Sequence, residues 1–261
     1  MPYRRLPNTD QARMRAMEKA LKKCLTDIAS NCPISETTLE SLEVVLPKFQ
    51  HSIINLNAAR KNQIARNREY VELVKKARIY ISHFIQVLNF TIARGELKSE
   101  VREFYGLAPY KESLPLLVSE KNILEWGKKL IEGEQKRLQR GGNPIYNPSI
   151  ALVKVNYEKF AEFYLFQKNL ISTTNRATKL VSDMRPEVDN LILQTWNEIE
   201  KYYMISDEIT DREKTAEYGI VYIFRKHELL KQQKSKVPQP VKQLEEEKKV
   251  EEVKTEEKNA G

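Results

Sequence analysis

The 261-residue sequence reads as an all-α protein: an elongated antiparallel helical bundle with two long helices and one short extended segment near its C-terminus. Three observations lead there. Between Pro47 and Arg94 the chain has no further proline and no glycine, and a second stretch from Pro148 to Met204 is interrupted only by Pro186. Both stretches carry apolar residues at spacings of three and four, the period of one helix face. Only the segment EYGIVYIFRK, 217–226, is dominated by the Tyr, Ile, Val and Phe that suit a pleated strand.

Taken in order, Thr9 or Asp10 can cap a first helix that runs to about Ser30, where Asn31, Cys32 and Pro33 interrupt it. Ser35 to Thr38 offer the next caps. Pro47 suits a first helical turn, so the run behind it predicts a helix of roughly 47 residues, about 70 Å long, stopped at Gly95. The stretch 99–118, with Gly106, Pro109 and Pro115, reads as a short helix plus loop, and Ser119 to Arg140 as a helix ended by Gly141 and Gly142. The second long helix begins near Pro148 and reaches about Met204, with a kink expected at Pro186, whose ring removes a donor and clashes with the preceding turn.

The stripe of the first long helix is read as Ile53, Leu56, Arg60, Ile64, Asn67, Val71, Val74, Arg78, Ile81, Ile85, Leu88 and Ile92. On the second it is Val153, Tyr157, Phe160, Tyr164, Gln167, Ile171, Thr174, Thr178 and Val181. Two such faces pack as antiparallel, coiled-coil-like partners. Arg60, Asn67 and Arg78 on one helix and Gln167, Thr174 and Thr178 on the other are then expected as interhelix polar layers that set register at some cost in stability. In the extended segment Ile220, Val221, Tyr222, Ile223 and Phe224 are the expected strand residues. A lone strand leaves its backbone groups unpaired, so it must join another extended piece, around Leu116 to Val118 or from a partner chain.

Residues 231–261 contain no aromatic side chain and many Lys and Glu, and read as a disordered charged tail behind a helical bundle domain over 1–230. The 44 Lys+Arg exceed the 36 Asp+Glu, a net charge of +8. The excess is concentrated in two places, residues 1–25 and 60–78, which makes Arg4, Arg5, Arg13, Arg15, Lys61, Arg66, Arg68, Lys75 and Lys76 a candidate basic surface able to track phosphates.

Motifs for chemistry are missing. No Glu-x-x-His pair suits a di-iron bundle, and His51, His83 and His227 form no helical zinc pair. His83, near an apolar face, reads as a hydrogen-bonded structural histidine. There is no Gly-x-Ser-x-Gly elbow and no P-loop. Cys24 and Cys32, with no third ligand near them, read as reduced, partly buried thiols. No apolar run approaches membrane-spanning length, and the first residues lack the apolar centre of a secretory signal, so the expected address is the cytoplasm. Phe163, Tyr164, Leu165 and Phe166 make one helix apolar all round, which asks for cover on more than one side.

These readings converge on a non-enzymatic helical interaction or scaffold protein without cofactor, with a protein partner or a homodimer. The alternative is a nucleic-acid-associated protein that uses the basic N-terminal arm and the basic helix stretch. The strings ARIYISHFIQVLN, RGGNPIYNPSIALVKVNYEKF, MRPEVDNLILQTWNEIE and EYGIVYIFRK, in this order, resemble an uncharacterised family of long-helix proteins from Bacteroidota. The resemblance covers about residues 1–228. It implies a helical fold with a short extended C-terminal segment, and no activity, cofactor or site residue.

Overall fold

A computed structural model describes residues 3–27, 32–203 and 210–223. The fold is all-α: two long helices that pack together, shorter helices beside them and a minimal two-stranded sheet. The expected tail over 231–261, the end of the first helix at Ser30 and Phe224 lie outside the described residues. Where the sequence suggests one bundle over 1–230, the chain divides into two compact units, Met1–Pro47 with Pro186–Gly261, and Lys48–Arg185. Each boundary falls at a proline inside a long helix, where the ring deletes one backbone donor.

In the first unit, α1 (Asp10–Thr26) starts on Thr9, whose Oγ1 accepts the Ala12 N–H at 3.2 Å. Cys24 and Cys32 are joined in a disulfide that ties the last turn of α1 to the approach to the next helix, which corrects the expectation of free thiols. Spacing alone could not show that the turn after α1 brings the two sulfurs together. Helix α2 (Glu36–Ala93) begins eleven residues before Pro47, because Glu198 supplies acceptors that its N-terminus needs. The Glu198 carboxylate accepts the Ser35 N–H at 2.8 Å and the Thr38 hydroxyl at 2.8 Å. Glu198 belongs to α4 (Ile150–Tyr203), which runs through Pro186.

After α5 (Thr210–Glu217) the chain turns at Gly219, where φ is +95°, and a Cβ would stand 3.0 Å from that of Lys19. Strand β2 (Tyr222–Ile223) then pairs antiparallel with β1 (Tyr3–Arg4), in the register Tyr3 to Ile223 and Arg4 to Tyr222. The Arg5 N–H donates to the Val221 carbonyl at 2.8 Å. Thus the extended segment pairs within its own unit, and Leu116 and Val118 are exposed. The reason is the anchoring of Arg4: its guanidinium lies over the Trp196 ring and donates to Asn197 Oδ1 at 2.8 Å and Glu200 Oε2 at 2.9 Å. That holds the first residues beside the end of α4, where β2 arrives.

The second unit contains the rest of α2, two 3-10 turns (Ser99–Tyr105 and Ala108–Tyr110), α3 (Glu120–Gln139) and the first part of α4. Ser119 caps α3 by accepting the Asn122 N–H. Its core is Phe84, Ile85, Leu88, Tyr105, Ile123, Leu130, Val153 and Phe160. Gly133 lets α3 approach the first 3-10 turn closely, since a Cβ there would meet the Phe104 carbonyl oxygen at 2.5 Å. The Tyr70 and Phe160 rings stack at 6.4 Å, and Ser52 Oγ lies 3.4 Å from Met184 Sδ. Pairing 70 with 160 and 52 with 184 means that α2 and α4 run antiparallel here.

Candidate functional site

The polar layers expected between the long helices do not form. Arg60, Asn67, Arg78 and Thr178 are exposed and Thr174 is half-buried. Arg78 donates to the Val118 carbonyl at 3.1 Å, while Thr174 and Thr178 bond carbonyls of their own helix. Only Gln167 is buried, and its Oε1 has no hydrogen-bond partner among the described residues. The physical reason is a one-residue error of phase. Across the middle of α2 the inward positions are Ala59, Gln63, Tyr70 and Ala77, each one residue ahead of Arg60, Ile64, Val71 and Arg78. The sequence reading followed the apolar Ile64 and Val71, which this packing turns outward.

That shift leaves part of the pair uncovered. No residue of α2 is buried over 57–69, and none of α4 over 168–180. With 52 against 184 and 70 against 160, the two stretches lie at the same level of the antiparallel pair. Ile64 is 74% exposed, Leu165 62% and Phe166 44%, and Ile171 and Leu180 are exposed as well. The helix that is apolar all round at 163–166 is therefore covered on one side: Tyr164 is buried and Phe163 half-buried.

The same level is rich in positive charge. Arg60, Lys61, Arg66 and Arg68 stand on α2, and Lys168, Arg176 and Lys179 on α4, with no Asp or Glu in 57–68 or 163–182. Arg66 reaches Glu69 only at 3.6 Å, and Lys75 pairs with Glu72 at 3.0 Å, both on exposed helix surface. Lys61, Arg68 and Lys76 are exposed as well. Long apolar side chains with interspersed cations suit a partner that is itself apolar and acidic.

The basic residues of the first unit divide differently. Arg4 and Arg13 are structural: Arg13 makes a two-pronged contact with Asp189, at 2.7 and 2.9 Å, besides its contact with Asp10. Arg5 and Arg15 are exposed. The N-terminal segment is thus docked along β2 and α4, which removes half of the free basic arm that the sequence suggested.

One charged cluster escaped the sequence reading. In the core of the second unit, Glu134 is 0% and Arg137 4% exposed. Arg137 donates to Glu134 through Nε and Nη2, both at 2.8 Å, and to the Asn143 carbonyl at 2.7 Å. Glu134 also accepts from the Tyr105 hydroxyl and from the Ile145 N–H at 3.3 Å. Burial pushes the Glu134 carboxyl up, but the Arg137 and Tyr105 donors outweigh it and hold it below the ordinary carboxylate range. An acid and a base three apart on the inward phase of the helix were the available signal. With its oxygens satisfied, the cluster joins α3 to the first 3-10 turn and to the loop before α4, and has the character of a brace.

His83, read from the sequence as a hydrogen-bonded structural histidine near an apolar face, is exposed, as is His51. Among the described residues no group of three His, Cys, Asp or Glu is placed to hold a metal, and no helix is long and apolar enough to cross a membrane. Compared with protein-family models, curated proteins and solved structures, the chain shows no match.

Proposed function

We propose that this is a non-enzymatic helical interaction protein whose docking surface is the uncovered, basic stretch of α2 and α4 in the second unit. One observation carries the reading: two stretches without a buried residue, 57–69 and 168–180, coincide in level and leave Ile64, Ile171 and Leu180 exposed, with Leu165 and Phe166 exposed just before the second stretch. The favoured occupant is an acidic, partly apolar protein segment such as an amphipathic helix, laid along the two helices. A second copy using the same face is disfavoured, because a two-fold contact would set seven cations against seven. The Cys24–Cys32 bond also removes the reduced thiols from the case for a cytoplasmic address.

A photo-crosslinking residue placed at position 165 in the native cell tests this. The expected result is one acidic partner captured there, lost when Lys61→Glu and Arg68→Glu are introduced, and absent with the crosslinker at exposed Val118. Equal capture at 165 and 118 would refute it. Nucleic acid is the second reading, favoured by the seven cations without an acid among them. It requires an affinity for generic RNA or DNA that falls steeply with salt and is indifferent to Phe166→Ser.

A further inference from the structure

We infer that a cleft in the first unit, between the N-terminal segment and α1, is a binding site for a small phosphate ester. The cleft encloses about 390 Å³, within the roughly 300–1,000 Å³ usual for small-ligand sites. Arg5, Arg15 and Lys19 line it, Trp196 closes one side, and no Asp or Glu is among its lining residues.

The sorting of cations in this segment is what singles the cleft out. Arg4 and Arg13 are each engaged by carboxylates, Glu200 for one and Asp10 with Asp189 for the other. Among the described residues, none of Arg5, Arg15 and Lys19 makes an ion pair, and these are the three cations that line the cavity. Each is held at its base. The Arg5 N–H is tied to the Val221 carbonyl, the Arg15 Nε donates to the Gln11 carbonyl at 3.2 Å and so leaves its terminal nitrogens free, and the Lys19 stem rests against Gly219. Three like charges lining one cleft without an acid repel one another, and a multivalent anion is the ligand that reverses the sign of that interaction. Two guanidinium forks and an ammonium match the several oxygens of a phosphate, which can accept in pairs. Beside the polar Asn8 and Thr9 the remaining wall is apolar, with Leu6, Pro7, Ala12 and Val221, and suits the organic part of an ester more than bare inorganic phosphate.

The phosphate could arrive on a small molecule or on a phosphorylated side chain of a peptide. Calorimetric titration of the full chain at low salt with ADP and, separately, with a phosphoserine pentapeptide distinguishes the two sources. Binding of either supports the site, provided that Arg15→Gln with Lys19→Gln weakens it by on the order of tenfold or more, the loss expected for one or two charge-assisted hydrogen bonds. Lys61→Gln with Arg68→Gln, in the other unit, should leave it unchanged. Because Arg15 and Lys19 are exposed, the first double variant should keep the wild-type circular dichroism spectrum and melting temperature. No binding of either probe, or equal weakening by the two double variants, would overturn the inference. The docking surface proposed above stands or falls separately, since its test reads a different unit.

Discussion

Replacing Arg137 by methionine tests the buried brace of the second unit. The variant keeps most of the side-chain volume but removes four donated hydrogen bonds, two of them to a carboxylate that is fully buried and one to the Tyr105 hydroxyl. Breaking a buried ion pair on one side costs about 3–5 kcal/mol, because the abandoned charge remains desolvated. Tyr105 and the Ile145 N–H still face Glu134, so the lower end, about 3 kcal/mol, is expected, a drop in melting temperature on the order of 10 °C. The pH dependence supplies a second reading. In the wild type the folded pKa of Glu134 is depressed, so its contribution is present above the unfolded carboxylate pKa and is lost as pH falls through the folded value. In the variant burial is left with fewer opposing donors, the folded pKa moves up, and the deficit should shrink between neutral pH and about pH 5 as Glu134 takes up a proton. Urea unfolding followed by fluorescence in a Trp196→Phe background, where Trp126 in the same unit is the sole tryptophan, measures both. A cost below about 1 kcal/mol with no pH dependence would refute the argument, because it would mean that Glu134 is solvated. Glu134→Leu added to Arg137→Met should recover part of the loss, as removal of both charges relieves the unpaired one.

Reduction of the Cys24–Cys32 bond, or replacement of both by serine, should lower stability by about 2–3 kcal/mol, the loop-closure value for so short a separation; urea midpoints with and without reductant show it. Gly133→Ala should cost about 1–3 kcal/mol, since its Cβ would press on the Phe104 carbonyl oxygen and backbone cannot step aside as a side-chain tip can; thermal melts against wild type measure it. Burial and the hydrogen bond to Glu200 push the Tyr222 hydroxyl up to about 12, against an opposing bond with Thr215. Its stabilisation is therefore full below the unfolded tyrosine pKa and is lost as pH rises through the folded value, and Tyr222→Phe should remove a late step from the alkaline absorbance titration.

Much of the fold is legible in the sequence, and the exceptions have specific causes. The caps Thr9 and Ser119 and the glycine stops at Gly95 and Gly141 locate helix ends because they act through bonds to near neighbours. Pro47 misled, because a proline inside a helix and one at its first turn look alike unless Glu198, some 160 residues away, is known to sit at Ser35. The candidate site was half visible. Its cations at Lys61, Arg66 and Arg68 are plain in the sequence, but its apolar members Ile64 and Ile171 read as core, since outward and inward apolar residues one step apart fit the same period.

Helix content, the antiparallel pairing of the two long helices, the location of the excess charge and the absence of a recognisable catalytic motif follow from the amino-acid order alone, because each depends on composition or on spacings within a few turns. Which face the middle of α2 turns inward, which arginines meet acids, that Cys24 joins Cys32, that residues 3–4 pair with 222–223 and that Arg5, Arg15 and Lys19 share a cleft were decided by the tertiary structure. These are choices among alternatives that local rules leave nearly equal in energy, and contacts between distant parts of the chain select among them.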